Sequence, residues 1–162
     1  MSKSARIDLD AIDARILAEL QRDGRMSITE LAEKVGLSPS PCLRRVRILE
    51  KQGVISHYVA VLDQNRVGLA VNVFASIRLE RQRGEELERF NAAVTQWPEV
   101  MECYLMTGTR DYLMRIVVGS LDDYERFIKE KLSRLDGVSS IESSFALSRI
   151  KHTTAVPIGA PR

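Results

Sequence analysis

Histidine, cysteine and tryptophan are scarce in this chain: two, two and one among 162 residues. Cys42 and Cys103 lie far apart in sequence, and His57 and His152 are near neither each other nor a cysteine. That spacing excludes a disulfide framework and any metal site with recognisable ligand intervals. No Ser/His/Asp or Cys/His set has the arrangement of a nucleophilic site, so an enzyme is not expected, nor is a cofactor. Long apolar runs are missing too. The longest, from Gly68 to Ile77, is interrupted at Asn72 and is too short to cross a bilayer. The opening residues, Met1 to Arg6, lack the apolar core of a secretory signal, so the chain is expected to begin near residue 1 and to stay in the cytoplasm, away from membranes.

What is present is the balance of a globular protein, 44% hydrophobic and 28% charged, with room for one ordinary domain or two small ones. The net charge of +2 hides an uneven distribution. Residues 1–62 hold ten Lys/Arg against eight Asp/Glu, and the remainder holds fourteen of each. Most of the surplus lies between Ser38 and Gln52, where Arg44, Arg45, Arg47 and Lys51 face Glu50 alone. A compact cationic cluster of this kind points to a polyanionic partner.

The first segment reads as three helices. Asp8 or Asp10 caps the first, Ile12, Ile16, Leu17 and Leu20 repeat at helical spacing, and Gly24 stops it. Ser27-Ile28-Thr29-Glu30 is a capping box opening a short helix with Leu31, Ala32 and Val35 on one face, closed by Gly36. Ser38-Pro39 supplies an N-cap and a proline at the first helical position, after which Leu43, Val46 and Leu49 form an apolar stripe up to Gly53. Val54 to Leu62 is β-branched and aromatic, which predicts a strand or a strand pair. The polar run from Asp63 to Gly68 marks a boundary: residues 1–62 form one domain and 63–162 another.

In the second part Val71, Val73, Ala75, Ile77 and Leu79 share one face of a strand. Leu87, Phe90, Val94 and Trp97 line a helix stopped by Pro98, and Val100 to Met106 is a second strand. The turn Gly108-Thr109-Arg110-Asp111 leads to a third strand, Tyr112 to Val118. Leu121, Tyr124, Phe127, Ile128, Leu132 and Leu135 stripe another helix, ended by Gly137, and Val138 to Arg149 is a fourth strand. The order βαββαβ places both helices on one face of an antiparallel sheet, a ferredoxin-like arrangement and an α+β fold. Cys103 shares a strand face with Met101 and Leu105 and is expected in the core. Trp97 is expected to anchor a helix end and Cys42 to be a packing residue. The tail from His152 to Arg162, with Pro157 and Pro161, is expected to be a partly ordered arm.

Two helices joined by a short glycine turn, the second cationic, suit a helix-turn-helix. With Leu43, Val46 and Leu49 turned inward, Ser40, Arg44, Arg47 and Lys51 face outward. Ser38 and Ser40 sit at the helix N-terminus, where free N–H groups and the helix dipole favour phosphate. Arginine forks onto guanine in the major groove or onto phosphate. The strand pair after Gly53, with His57, could rest on the backbone as a wing. A solvated helix face explains such a charge run as well, and the residues alone leave the two readings even.

The chain also resembles a known family. Leu9-Asp10, Ile12-Asp13, Ile16-Leu17, Leu20, Asp23-Gly24-Arg25, the run Val35 to Cys42, Arg44 to Glu50 and Gly53-Val54-Ile55 are similar to the helix-turn-helix of the leucine-responsive/asparagine-synthesis regulators (Lrp/AsnC, the feast/famine regulators). Gly108 to Leu113 is similar to that family's effector-site turn, Leu135-Asp136-Gly137-Val138 to its L-P-G-V turn with Asp136 in place of proline, and Ser143 to Leu147 with Lys151 to Thr154 to its closing strand and tail. The resemblance implies an N-terminal winged helix-turn-helix and a C-terminal ferredoxin-like domain that dimerises. It further implies a homodimer joining into higher oligomers, here an octamer, with an amino acid bound between dimers. Carried over residue by residue, Ser38, Ser40, Pro41, Arg44, Arg45 and Arg47 belong to the face on double-stranded DNA, with Lys51 added by its place on the helix. Gly108, Thr109 and Asp111 belong to the effector cleft. The residue types are compatible: the glycine turn exposes N–H groups to a carboxylate, Asp111 accepts from an α-ammonium, and Tyr104, Met106 and Thr107 shape a side-chain pocket. On residue types alone Asp111 reads as a hairpin cap and Tyr104 as core or interface. The closing strand resembles members that govern amino-acid catabolism.

The function expected is a sequence-specific transcription regulator modulated by an amino acid. An amino-acid-binding or assembly module without specific DNA readout is the alternative, and an enzyme on the ferredoxin-like domain would need an acid, base or nucleophile set that is not found.

Overall fold

The computed structural model describes residues 7–81 and 83–158, and these fall into two compact units. One runs as far as Val61 and takes in the tail from Lys151; the other is Leu62–Ile150. The tail, expected with the second domain, therefore groups with the first. Expectations placed on residues 1–6 and 159–162, including Pro161, lie outside the described residues.

The first unit contains α1 (Ala11–Arg22), α2 (Ile28–Val35) and α3 (Pro39–Lys51). Asp10, not Asp8, caps α1, its Oδ1 accepting the Asp13 N–H at 2.8 Å. Ser27 and Glu30 form the expected reciprocal capping box of α2, and Gly36 ends that helix at φ +75°, a conformation suited to glycine. Ile16, Leu31, Ala32, Val35, Cys42, Val46 and Leu49 are buried together. Each large aliphatic buried this way contributes about 1.5–3 kcal/mol, enough to hold three short helices that would not persist singly.

Residues 56–62 depart from expectation. They are no strand pair: among the described residues their backbone makes no ladder and no hydrogen bond, and Val59, Val61 and Leu62 are exposed. The β-branched composition favours an extended backbone, but the described residues offer no partner strand.

The second unit runs β1 (Val71–Leu79), α4 (Gly84–Val94), β2 (Val100–Leu105), β3 (Tyr112–Val118), α5 (Leu121–Glu130), a 3-10 turn at Leu132–Arg134, and β4 (Val138–Phe145). The sheet order is β2-β3-β1-β4 and every pairing is antiparallel. Its inner face, Val73, Ala75, Ile77, Met114 and Ile116, packs on Phe90 and Val94 of α4 and Tyr124 and Phe127 of α5. Trp97 meets Phe127 edge-on at 5.4 Å, the expected anchor. Three expectations shift. The second helix breaks at Lys131, and β4 ends at Phe145 rather than Arg149. On β2 a register shift between Val100 and Glu102 puts Val100 and Cys103 against the core while Met101 and Leu105 stay exposed. Burial pushes the Cys103 thiol up to about 11.

Candidate nucleic-acid interface and effector turn

The amphipathic split of α3 positions the first site. Its buried stripe is Cys42, Val46 and Leu49, one position away from the expected Leu43, Val46 and Leu49. Cys42 is fully buried and burial raises its thiol pKa, so it is a packing residue as expected. Leu43 is half-buried and lines a shallow hollow of about 300 Å³ with Ser40, Arg44, Arg47, Ile48 and Lys51. Arg44, Arg47 and Lys51 enter no ion pair among the described residues. Glu50, the one acid nearby, accepts instead from the Tyr58 hydroxyl at 3.1 Å. Ser38 caps α3 without a side-chain hydrogen bond, and Ser38, Pro39, Ser40 and Pro41 are all exposed at the helix start. Pro39 and Pro41 have no N–H and the Cys42 N–H is bonded to Ser38 O, so Ser40 alone offers an N–H in the first turn. With the Ser38 and Ser40 hydroxyls and a row of cations without ion pairs among the described residues, it forms one surface that suits phosphate and base edges together.

Arg45 leaves this set. One position on from Arg44, it points about 100° around the helix, and its Nη1 donates to Asp10 at 2.7 Å and to Asp13 at 2.8 Å. These two carboxylates raise its pKa. Arg45 ties α3 to the start of α1, turned away from the surface that carries Arg44 and Arg47. Leu43 and Ile48 share this surface and escape reasoning from charge; the isoleucine between Arg47 and Lys51 was the available signal in the sequence, and it is 46% exposed.

The second site is the turn between β2 and β3. Gly108 stands at φ +114° with open space around it, so the backbone conformation rather than crowding calls for glycine. Among the described residues the N–H groups of residues 107–110 make no hydrogen bond, and Met106, Thr107, Gly108 and Thr109 are exposed. Tyr104, 52% exposed, donates its hydroxyl to Glu102 at 2.8 Å, and that bond raises its pKa. Asp111 is different. It is 5% exposed, and its Oδ2 accepts the Leu79 N–H at 2.6 Å. Its own N–H donates to Ile77 O at 2.8 Å, and its C=O accepts from Met106 at 2.8 Å. The carboxylate expected to meet a ligand ammonium is engaged by the sheet, because the turn doubles back against the end of β1 and leaves the Leu79 N–H needing an acceptor. Sequence reasoning also missed Arg110, which spans to β4 through Ser140 at 2.9 Å and Glu142 at 2.5 Å.

A family model of winged helix-turn-helix DNA-binding domains matches residues 9–56, and one of the Lrp/AsnC ligand binding domain matches residues 72–156. The Bkd operon transcriptional regulator of Pseudomonas aeruginosa is 45% identical over 151 residues, 93% of this chain and 99% of that protein. The chain belongs to the Lrp/AsnC family of transcription regulators. The leucine-responsive regulatory protein of Escherichia coli K12 is 42% identical over 93% of this chain and 92% of its own length. A transcriptional regulator from Neisseria meningitidis, solved as a complex with L-methionine, superposes with a TM-score of 0.89 at 40% identity, covering 92% of this chain and 96% of that one. The Lrp/AsnC assignment fits each unit by itself: α2 and α3 are the helix-turn-helix, and the four-stranded sheet with α4 and α5 is the ligand-binding domain. Regulators, not enzymes, surround the chain in these comparisons. No helix of the described residues is long and apolar enough to cross a membrane.

Proposed function

We propose that the protein is a cytoplasmic homodimer whose two α3 helices read an operator and whose effector turn takes an amino acid. The observation that carries the DNA reading is the unpartnered stripe Ser40, Arg44, Arg47 and Lys51, with Ser38 and Pro41 at its start. The helix enters a major groove, its cations meet phosphate and guanine, and Leu43 and Ile48 supply apolar contact to thymine methyls. A two-fold dimer sets two such helices one helical turn apart, so the operator is an imperfect palindrome. Dimerisation is supported by the outer sheet face, which no helix of its own unit covers and which carries exposed Phe74 and Tyr104.

For the effector, the free N–H groups around Gly108 receive the carboxylate, with Tyr104, Met106, Thr107 and Thr109 beside the side chain. The turn is an open edge in one chain, so a second dimer supplies the other wall, consistent with an octamer. An effector acts by binding one assembly better than another. L-methionine heads the trial set because the Neisseria regulator was solved with it.

Binding to duplex DNA across a salt series tests the reading. Affinity falling steeply with salt, and falling further in Arg44→Ala and Arg47→Ala with oligomers intact, is the expected result. Affinity indifferent to salt would instead favour the assembly module without DNA readout. A melting-temperature screen against the common amino acids, including L-methionine, identifies the effector by the rise it causes.

A further inference from the structure

We propose that Tyr58 is a positioning residue for DNA binding: its hydroxyl holds the Glu50 carboxylate and so keeps Arg47, the neighbour of Glu50 on α3, free for DNA. The inference deepens the operator reading above and rests on it. Glu50 is the one acid on α3. Side chains three and four positions apart on a helix are neighbours, so Glu50 has beside it Arg47 and the buried Val46, with Gly53 and Val54 past the helix end. Arg47 is the only cation among these four. A carboxylate left to itself at Glu50 would pair with Arg47 and withdraw it from phosphate. In the structure that pair is not made. Arg47 enters no ion pair among the described residues, and Glu50 Oε1 accepts from the Tyr58 hydroxyl at 3.1 Å.

Local structure brings Tyr58 to this place. Gly53 follows α3 at φ +72°, and the Val54 and Ile55 N–H groups both return to Leu49 O, at 2.9 and 3.2 Å, which turns the chain back on the end of the helix. Val54 and Ile55 pack against the buried cluster of the head. From residue 56 to residue 62 the backbone makes no hydrogen bond among the described residues, so Tyr58 is held through its side chain. Its ring lies beside Gly24, where a Cβ would stand 3.3 Å from it, and its hydroxyl reaches Glu50. Burial first, and Glu50 after it, raise the pKa of that hydroxyl, so it stays a donor at neutral pH. A hydrogen bond to a charged acceptor is worth more than an exposed ion pair along a helix, so Tyr58 prevails over Arg47. Because tyrosine is neutral, satisfying Glu50 in this way takes no cation from the surface.

The test uses the full-length protein with Tyr58→Phe, with Glu50→Gln and with both. Phenylalanine keeps the ring beside Gly24 and removes only the hydroxyl. Binding is measured at fixed salt on a duplex that the wild type selects from a random pool. Tyr58→Phe is expected to weaken it about threefold per head, hence about tenfold where two heads engage one duplex, because an exposed helix pair competes only in part. In the Glu50→Gln background the same change should cost less than about twofold, since no carboxylate remains to reclaim Arg47. A loss of equal size in both backgrounds makes Tyr58 a structural residue and overturns the proposal, as does no loss in either. Glu50→Gln alone weakening binding by about tenfold overturns it too, because Glu50 would then read a base, its carboxylate accepting from cytosine. A crystal structure of Tyr58→Phe reads the pairing without DNA. The Glu50 carboxylate is expected within about 4 Å of an Arg47 nitrogen, and a carboxylate that stays away from Arg47 overturns the proposal. A wild type without salt-dependent DNA affinity overturns the operator reading instead, and the crystal structure still decides whether Tyr58 keeps Glu50 from Arg47.

Discussion

The reading face of α3 and the turn between β2 and β3 treat polar groups in opposite ways. On α3, Arg44, Arg47 and Lys51 enter no ion pair among the described residues, and Glu50 is held by Tyr58. Around the turn the charged side chains and the tyrosine are engaged: Asp111 by Leu79, Arg110 by Ser140 and Glu142, Tyr104 by Glu102. Among the described residues the backbone N–H groups of residues 107–110 make no hydrogen bond, and the exposed Thr107 and Thr109 side chains make none either. A surface that meets a polyanion needs uncommitted cations, since counterion release is the source of affinity. A turn that meets a small ligand needs a fixed shape, and on the proposed reading these side chains hold the backbone while its N–H groups take the ligand.

That contrast is most easily broken by substitution. Arg44→Ala and Arg47→Ala should each lose about 1–3 kcal/mol of DNA binding while the melting temperature stays where it is. A fall in stability matching the fall in affinity would mean that these arginines are structural. Asp111→Ala should do the reverse. Removing a buried acceptor strands the Leu79 N–H and should cost the second unit about 2–3 kcal/mol of stability, read by calorimetry. A stable Asp111→Ala protein with a selective loss of amino-acid response would return Asp111 to the ligand. Arg45→Ala sharpens the comparison within one helix: about 1 kcal/mol of head stability lost, and a smaller loss of DNA affinity than Arg47→Ala at the same salt.

How much of this was legible in the sequence follows from how local each cause is. Caps and turns are written in adjacent residues, so Ser27 with Glu30, Gly36 and the order βαββαβ could be read off, and the cap of α1 narrowed to Asp8 or Asp10, of which the structure uses Asp10. The charge of α3 was visible, but the partner of each charge was not. Arg45 differs from Arg44 only through Asp10 and Asp13, more than thirty residues earlier. The bulge on β2 and the pairing of Asp111 with Leu79 depend on strand register, which no local pattern near residue 101 or 111 encodes. The extended run 56–62 misled for a related reason: strand composition states a preference for extension, and pairing needs a second strand.

Acid titration separates the two contributions of Asp10, and it is the smallest effect expected. The carboxyl of Asp10 is held below its ordinary value, first by the Asp13 N–H it accepts as the cap of α1 and then by Arg45. A carboxylate depressed by folding stabilises the head above its unfolded value of 3.8, and that contribution disappears as pH falls through the lower folded value. The head should therefore be insensitive to pH between about 5 and 7 on this account and weaken below about 4. Its side chain is 52% exposed, so solvent screening keeps the contribution small. Asp10→Asn retains a good N-cap but carries no charge for Arg45 and does not titrate. At neutral pH it should be slightly less stable than the wild type, with the gap closing towards pH 3. A gap that stays constant across that range would show that Asp10 acts as a cap alone, and that Asp13 by itself holds Arg45 away from the reading face.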